Sequence, residues 1–349
     1  MSAALKVVAP GLHTTLQDHG RWGYQAVGVP VSGALDLVSA RLANRLVGNA
    51  ESVAVLEILY QGPTLEVAAD SVHVGLAGGD AQLELLGERP RLVGGWRSLR
   101  LRRGDRFRVT PLSLAACCSL AIEGGFAIEP CLGSLSTFVR GAIGGFDGRA
   151  LRAGDALPLA LETASNRSEL CLPEPPTPDR DDPIRIVLGP QQDHFTPGAI
   201  EVLLSAEYVV SKSADRMGLR LDGPGLAHRD GHDIVSDGIV TGAIQVPGSG
   251  QPILLLADHQ TTGGYPKIAT VVSADLPAVG RRRPGDRIRF AAITVAEAEQ
   301  ARRDQEASLE ALIQTMVPAA SPAGLDLDRL YRFNLISGVV SGREGGMEL

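Results

Sequence analysis

The sequence predicts a mainly β protein of two barrel- or sandwich-like halves with a few helices, on three observations. Short apolar runs, among them HVGLAG, AQLELLG, DRFRVT, IRIVLG, AIQVP, PILLLA, KIATVVSA and DRIRF, are punctuated by 41 glycines and 22 prolines. Runs of that length, bounded by Gly, Pro, Asp or Ser, are the pattern of a sheet-rich sandwich or barrel. Three runs share a lead-in: RRGDRFRV (102–109), RAGDALPL (152–159) and RPGDRIRF (283–290). A Gly-Asp turn delivering the chain into a strand produces that pattern, and its recurrence suggests that the two halves reuse one plan. Between them lies CLPEPPTPDRDDP (171–183), a proline-rich acidic stretch that cannot bury a core and reads as an extended linker.

The elements follow in order. Residues 1–170 form a first β-barrel-like domain. It includes a helix over 35–49, with Leu35, Val38, Leu42 and Leu46 on one face and Gly48-Asn49 as the stop. Ser32 or Asp36 is placed to cap its start. Residues 171–183 are the linker and 184–291 a second barrel domain. Residues 292–349 hold an Ala/Glu/Arg-rich helix (294–317) and a tail. Thr294 is the expected N-cap of that helix, which is expected on the outside of the second domain. The tail YRFNLISGVVSGREGGMEL is glycine-rich and favours mobility at the chain end.

Bulk properties exclude several functions. At 349 residues the chain is long enough for about two domains. Its 33 basic and 40 acidic residues give a formal charge of −7, which disfavours nucleic-acid or anionic-membrane binding. RRRPGDR (281–287) is too short and too poor in aromatics to reverse that, and is expected to be a solvated turn. No charged N-terminal segment precedes an apolar core, and no apolar run reaches membrane-spanning length. A cytoplasmic location is expected. Cys117, Cys118, Cys131 and Cys171 make no CxxC or zinc spacing and are expected to be reduced packing residues, with the adjacent pair pointing to opposite faces of a strand.

Familiar chemical motifs are missing. There is no Walker loop, no GxGxxG and no GxSxG elbow. GAIGGFDG (141–148) has the wrong spacing for a phosphate cradle, and Gly231 argues against a helical metal pair at His228 and His232. No metal site is expected. Three stretches instead cluster costly polar groups among glycines: TTLQDHGRWGYQAVGVPVSGALD (14–36), SKSADRMGLRLDGP (211–224) and LLLADHQTTGGYPKIATV (254–271). Glycines let a backbone approach a ligand closely, and Gln, Thr, Asp and Tyr supply directed donors and acceptors. The plainer alternative is three well-made hairpin corners.

A family resemblance bears on that choice. GLHTTLQDHGRWGYQAVGVPVSGALD, RLANRLVGN, ALRAGD, ADRMGLRLDGP and ADHQTTGGYPKIATVVSADLP, in this order between about residues 6 and 291, resemble the family of KipA, the 5-oxoprolinase C subunit and allophanate hydrolase subunit 2, with the carboxyltransferase segment of urea carboxylase. His19 and Trp22 depart from the residues common there, while Asp18, Gly20, Arg21, Gly23 and Tyr24 keep the pattern. The resemblance implies two cyclophilin-like β-barrels and a KipI-like partner (the 5-oxoprolinase B subunit or allophanate hydrolase subunit 1). A LamB/YcsF-like protein, the A subunit of such an assembly, is a further candidate partner.

The function expected is that of the C subunit in ATP-dependent cleavage of 5-oxoproline to glutamate, within an assembly. No cofactor is assigned to this chain, and ATP is used by the complex. The alternatives are a biotin-dependent carboxyltransferase component acting on urea or allophanate, for which carboxybiotin would be the cofactor, and a non-enzymatic KipA-like regulator that binds a histidine-kinase inhibitor.

For such chemistry Gln260, Thr261, Thr262, Tyr265 and Lys267 are the candidate catalytic residues. The threonines and the N–H groups of Gly263 and Gly264 suit an oxyanion, Gln260 a lactam edge, Tyr265 a flat ring, and Lys267 an anionic intermediate or a surface salt bridge. Asp18, Arg21, Tyr24, Ser32, Asp215 and Arg216, with Gly263 and Gly264, are the candidate substrate-binding residues. The expectation is that these corners, from both barrels, meet in one cleft.

Overall fold

The computed structural model describes residues 3–176 and 181–319. It is mainly β, with one sheet that closes almost completely into a barrel. Residues 177–180 and the tail beyond 319 lie outside the described residues. The stretch expected as a linker over 171–183 begins instead within the fold, since Cys171 ends a strand and Leu172 is buried in a core cluster.

The first half packs two antiparallel sheets face to face. One holds Ala4–Ala9, Thr64–Val67, Gln82–Leu86, Arg91–Gly94, Arg106–Val109 and Ala156–Pro158. The other runs from His13–Gln17 through Val55–Leu59, Cys117–Ile122, Ser71–Ala77 and Arg97–Arg102 to Leu170–Cys171. Alternate residues turn inward, so Leu5, Leu65, Leu83 and Phe107 of the first sheet meet Leu16, Leu56, Ile58, Leu76 and Leu120 of the second in one core.

The second half has a separate two-stranded ribbon, Asp237–Gly238 with Thr262–Gly263, and is built on an eight-stranded sheet. Its edge strands are Arg287–Ile288 and Phe290–Ala292. Only Arg289 separates these edges in sequence, so the sheet must curl until its two ends meet. Closure removes exposed strand edges.

The Gly-Asp lead-ins take one geometry at all three sites. Gly104, Gly154 and Gly285 sit at φ 86°, 90° and 92°. Asp105, Asp155 and Asp286 each accept a hydrogen bond at 2.7 Å from the backbone N–H three residues earlier. The glycine supplies the left-handed angle and the carboxylate closes the turn, so the same turn serves both halves.

Four helices are described: α1 (Leu37–Leu46), α2 (Pro197–Ser205), α3 (Leu276–Gly280) and α4 (Val295–Gln314). Asp36, not Ser32, caps α1, accepting from the Ser39 N–H at 3.1 Å. Helix α1 lies directly on the strand Ser71–Ala77, where a Cβ on Gly75 would stand 2.5 Å from the Ala43 carbonyl. Thr294 caps α4 in a reciprocal box with Glu297.

Helix α4 does not simply cover the second barrel. Leu309 and Ile313 pack with Leu42 and Leu46 of α1, while Ala301 packs with Val272 and Ala274 of the second half. The helix therefore bridges the two halves. The strand after it, Val317–Pro318, pairs with Leu170–Cys171 and so extends a sheet of the first half. An Ala-rich, short-side-chain helix can lie close to two surfaces at once, which the sequence pattern alone does not reveal.

Two more expectations are revised. RRRPGDR is a seam element rather than a solvated turn. Arg281 Nη1 pairs with Asp36 Oδ2 at 2.8 Å, Arg282 is buried, and Arg283 donates to the Leu112 carbonyl at 2.6 Å. Of the four free cysteines, Cys117 and Cys118 are buried in different clusters, as opposite-facing strand neighbours must be, but Cys131 is exposed. No helix among the described residues is long and apolar enough to cross a membrane.

Candidate functional site

The halves are joined by apolar contact, by the Arg281–Asp36 pair and by a buried ionic cluster. Gly280 of α3 packs so closely that a Cβ there would lie 2.4 Å from the Leu35 carbonyl. Beside this contact Arg216, 5% exposed, reaches across from the second half. Its Nε donates to Asp258 Oδ2 at 2.8 Å and its Nη2 to Asp258 Oδ1 at 3.2 Å. Nη2 also donates to the Gly33 carbonyl at 2.8 Å, and Nη1 pairs with Glu57 Oε1. Glu57, from strand Val55–Leu59, accepts in addition from the Leu35 N–H at 2.6 Å.

Burial pushes the Glu57 carboxyl above its ordinary range, against the pull of Arg216. Burial also opposes the charge of Arg216, yet the Asp258 and Glu57 carboxylates raise its pKa above the usual value. The guanidinium is thus a fixed cation with its fork filled by carboxylates from both halves. Sequence reasoning missed Glu57. The signal was present: a charged residue inside the apolar run VLEIL must be paired if that strand is buried.

Two cavities open at the seam, sharing Leu35 and Leu256 as a common wall. The first, about 330 Å³, is bordered by His13, Tyr60 and Arg140 from the first half and by Asp215, Arg216 and Asp258 from the second. The His13 Nδ1 is buried without a hydrogen-bond partner. Burial first, and then the Arg216 cation, lower the His13 pKa, so the ring is neutral at neutral pH. Arg140 is 67% exposed and only loosely held, 3.9 Å from Asp215 Oδ2 across the mouth. The pocket therefore offers a weakly paired cation at its rim and a neutral imidazole inside.

The second cavity, about 310 Å³, is bordered by Asp18, Ser32 and Arg41 from the first half, Thr241 and Ser273 from the second, and Arg302 from α4. Ser32 holds φ at 57° and donates its N–H to the Ala257 carbonyl at 3.0 Å. The Asp18 carboxylate is occupied within the protein by the Gly20 and Leu135 N–H groups and the Ser134 and Ser136 hydroxyls, at 2.5–2.8 Å.

The remaining candidates stand elsewhere. Arg21, 1% exposed, donates to the carbonyls of Cys131, Ser134 and Ser136, so it holds the 131–136 segment. Tyr24 starts a short 3-10 turn. Thr262–Gly263 pairs with Asp237–Gly238 in a two-stranded ribbon. Gln260 donates to Gln245 at 3.2 Å, the Thr261 carbonyl accepts from the Ile239 N–H, and the Gly264 carbonyl accepts from the Ile234 N–H. Tyr265 is 41% exposed.

Lys267 makes no surface pair of the ordinary kind. Its side chain is buried and its Nζ reaches the half-exposed Asp237 carboxylate at 3.1 Å, which Gln191 also contacts. None of Arg21, Tyr24, Gln260, Thr261, Thr262, Gly263, Gly264, Tyr265 and Lys267 borders either seam cavity. The residues expected to meet in one cleft are divided here: Asp18 and Ser32 border one seam cavity, Asp215 and Arg216 the other, and Thr262–Gly263 lies in the ribbon. What the 254–271 stretch brings to the seam is its entrance, the apolar Leu256 and Ala257 and the Asp258 carboxylate.

Two β-rich halves locked by a shared ionic cluster, with polar side chains converging on the seam, define a two-lobed mainly β protein. The chain belongs to the carboxyltransferase domain family, subdomains A and B, whose model matches residues 27–292. It is 34% identical over 308 residues to the 5-oxoprolinase C subunit of Escherichia coli (strain K12), covering 88% of this chain and 97% of that protein. It is 36% identical over 299 residues to the protein of that name from Haemophilus influenzae, covering 85% and 93%. Among solved structures it resembles the K. lactis urea amidolyase, with a TM-score of 0.81 and 30% identity over 93% of this chain and 22% of that one.

Proposed function

We propose that this chain is the C component of an ATP-dependent 5-oxoprolinase assembly, and that the cavity beside Arg216 receives the lactam. The observation that carries the assignment of the site is the pairing of a rim cation, Arg140, with a buried, unpartnered His13 Nδ1 over the fixed Glu57–Arg216–Asp258 cluster. 5-Oxoproline is a small planar lactam bearing a carboxylate. Its carboxylate pairs with Arg140, and its amide edge meets the neutral His13, which can donate or accept there. The Arg216 cation polarises the floor of the pocket as charge develops on the amide oxygen. Near-complete alignment with two proteins named as the C subunit of 5-oxoprolinase supports the choice of substrate.

The exposed Thr262 and Tyr265 of the ribbon then face a KipI-like subunit rather than substrate, with ATP handled elsewhere in the complex. A biotin-dependent carboxyltransferase role is the second reading, favoured by the likeness to urea amidolyase. Here the same cavity would take the acyl acceptor.

Co-expression with KipI-like and LamB/YcsF-like subunits, followed by an assay for ATP-dependent glutamate formation from 5-oxoproline, tests the proposal. Turnover that is lost in His13→Ala while the complex still assembles supports it. Carboxylation of urea by a biotinylated donor, with no lactam cleavage, establishes the second reading instead.

A further inference from the structure

The second seam cavity has features that the lactam site does not use. Leu37 and Val38, the first residues of α1, border it. The opening N–H groups of a helix lack intrahelical partners and carry its positive end. In α1 the Asp36 carboxylate, itself paired with Arg281, takes the Ser39 N–H, ahead of which stand Leu37 and Val38. A second, independent observation points to a ligand. Ser32 borders the same cavity, the residue is 6% exposed, and its buried Oγ has no hydrogen-bond partner. Ser32 is also held at φ 57°, a conformation unfavourable for a non-glycine residue. A buried hydroxyl without a partner is costly, and keeping one in a strained backbone doubles the oddity.

Two guanidinium groups complete the wall. Arg41 is held by Glu51 and Glu306, and Arg302 by Glu306 and the side-chain amide oxygen of Gln305. Each carries five N–H donors, more than these contacts use. The Asp18 carboxylate also borders the cavity, but four donors from the protein already satisfy it.

We infer that this cavity is a second ligand site that binds the oxyanion of a small molecule, a carboxylate or a phosphoryl group, between the start of α1, the Ser32 hydroxyl and the Arg41–Arg302 wall. It is separate from the lactam site across the Leu35–Leu256 partition, and its existence does not depend on which reaction the assembly performs.

Trp22 borders the cavity and is 70% exposed, so its fluorescence can report occupancy. The full chain is titrated with inorganic phosphate and, separately, with acetate, at ionic strength held constant with chloride. Trp22→Phe supplies the background and thermal midpoints are read in parallel. The expected result is a saturable change in emission and a rising midpoint, with Ser32→Gly and Arg302→Met each weakening affinity about tenfold. Ser32→Gly removes the hydroxyl while relieving the backbone angle, so it tests the site without endangering the fold. Saturation by phosphate alone identifies a phosphoryl site, and saturation by acetate alone a carboxylate site. No saturable response to either anion, or affinity unchanged in both variants, overturns the inference. Because the readout needs no turnover, its failure is distinct from failure of the 5-oxoprolinase proposal.

Discussion

Arg216 and Lys267 are both buried cations that meet a carboxylate, yet they do different things for the molecule. Arg216 is enclosed with Glu57 and Asp258, which are themselves buried, and its donors join two halves of the chain. Lys267 is buried beneath a ribbon, but its partner Asp237 is half in water. In the first case neither side can recover solvation if the other is lost. In the second the carboxylate always can. The comparison teaches that a dense polar stretch in sequence does not by itself mark a site. What matters is whether its groups are consumed locally or converge with groups from far away in the chain.

The largest effect is expected at the seam. Arg216→Met leaves two buried carboxylates without their cation and is expected to cost about 3–5 kcal/mol in denaturant unfolding. A loss under about 1 kcal/mol would show that the cluster does not hold the halves together.

Next comes a buried imidazole, His73, whose Nδ1 stands 3.9 Å from Glu123 Oε2. Burial lowers the His73 pKa to about 4 from 6.5, despite nearby Glu123, and neither ring nitrogen has a hydrogen-bond partner. Its folded pKa lies below its unfolded one, so the unfolded chain binds the proton more readily. Stability is therefore intact above pH 6.5 and declines as pH falls toward 4, by up to about 3 kcal/mol from this residue. Unfolding midpoints measured across that range should fall less steeply in His73→Leu than in the parent chain. Equal slopes would remove His73 from the account.

Smaller effects belong to the ribbon. Lys267→Met replaces a buried ammonium by an apolar chain and leaves Asp237 in water, so stability should change by no more than about 1 kcal/mol. Asp237→Ala strands the ammonium and should be the costlier of the two substitutions. The reverse order would mean that the ribbon is held by something other than this pair. Exposed Thr262→Val should stay within about 0.5 kcal/mol.

This contrast also explains what the sequence disclosed. The sheet-rich class, the Gly-Asp turns, the core of α1 and the Thr294 cap were legible because they depend on neighbours within a few residues, whereas Leu35, expected on the helix, precedes it and packs in the second half's cluster. The seam was not legible. Arg216 stands 159 residues from Glu57 and 42 from Asp258, so no local pattern joins them. His13 and Arg140 carry no motif and become notable only when a cavity lies between them. The 260–267 block is the opposite case. Its glycines and amides are the vocabulary of a binding loop, and in the fold Gln245 takes the Gln260 amide while Asp237 and Gln191 take the ammonium and the N–H of Lys267.

The account rests most heavily on substrate lying at the seam rather than on the ribbon. In the assembled complex, the KM for 5-oxoproline measured in parallel for Arg140→Ala and Thr262→Val decides between them. The seam assignment predicts at least about a tenfold rise for Arg140→Ala, from loss of a charge-assisted contact, and no change for Thr262→Val. A KM unchanged in Arg140→Ala but raised in Thr262→Val would contradict it and return the site to the ribbon.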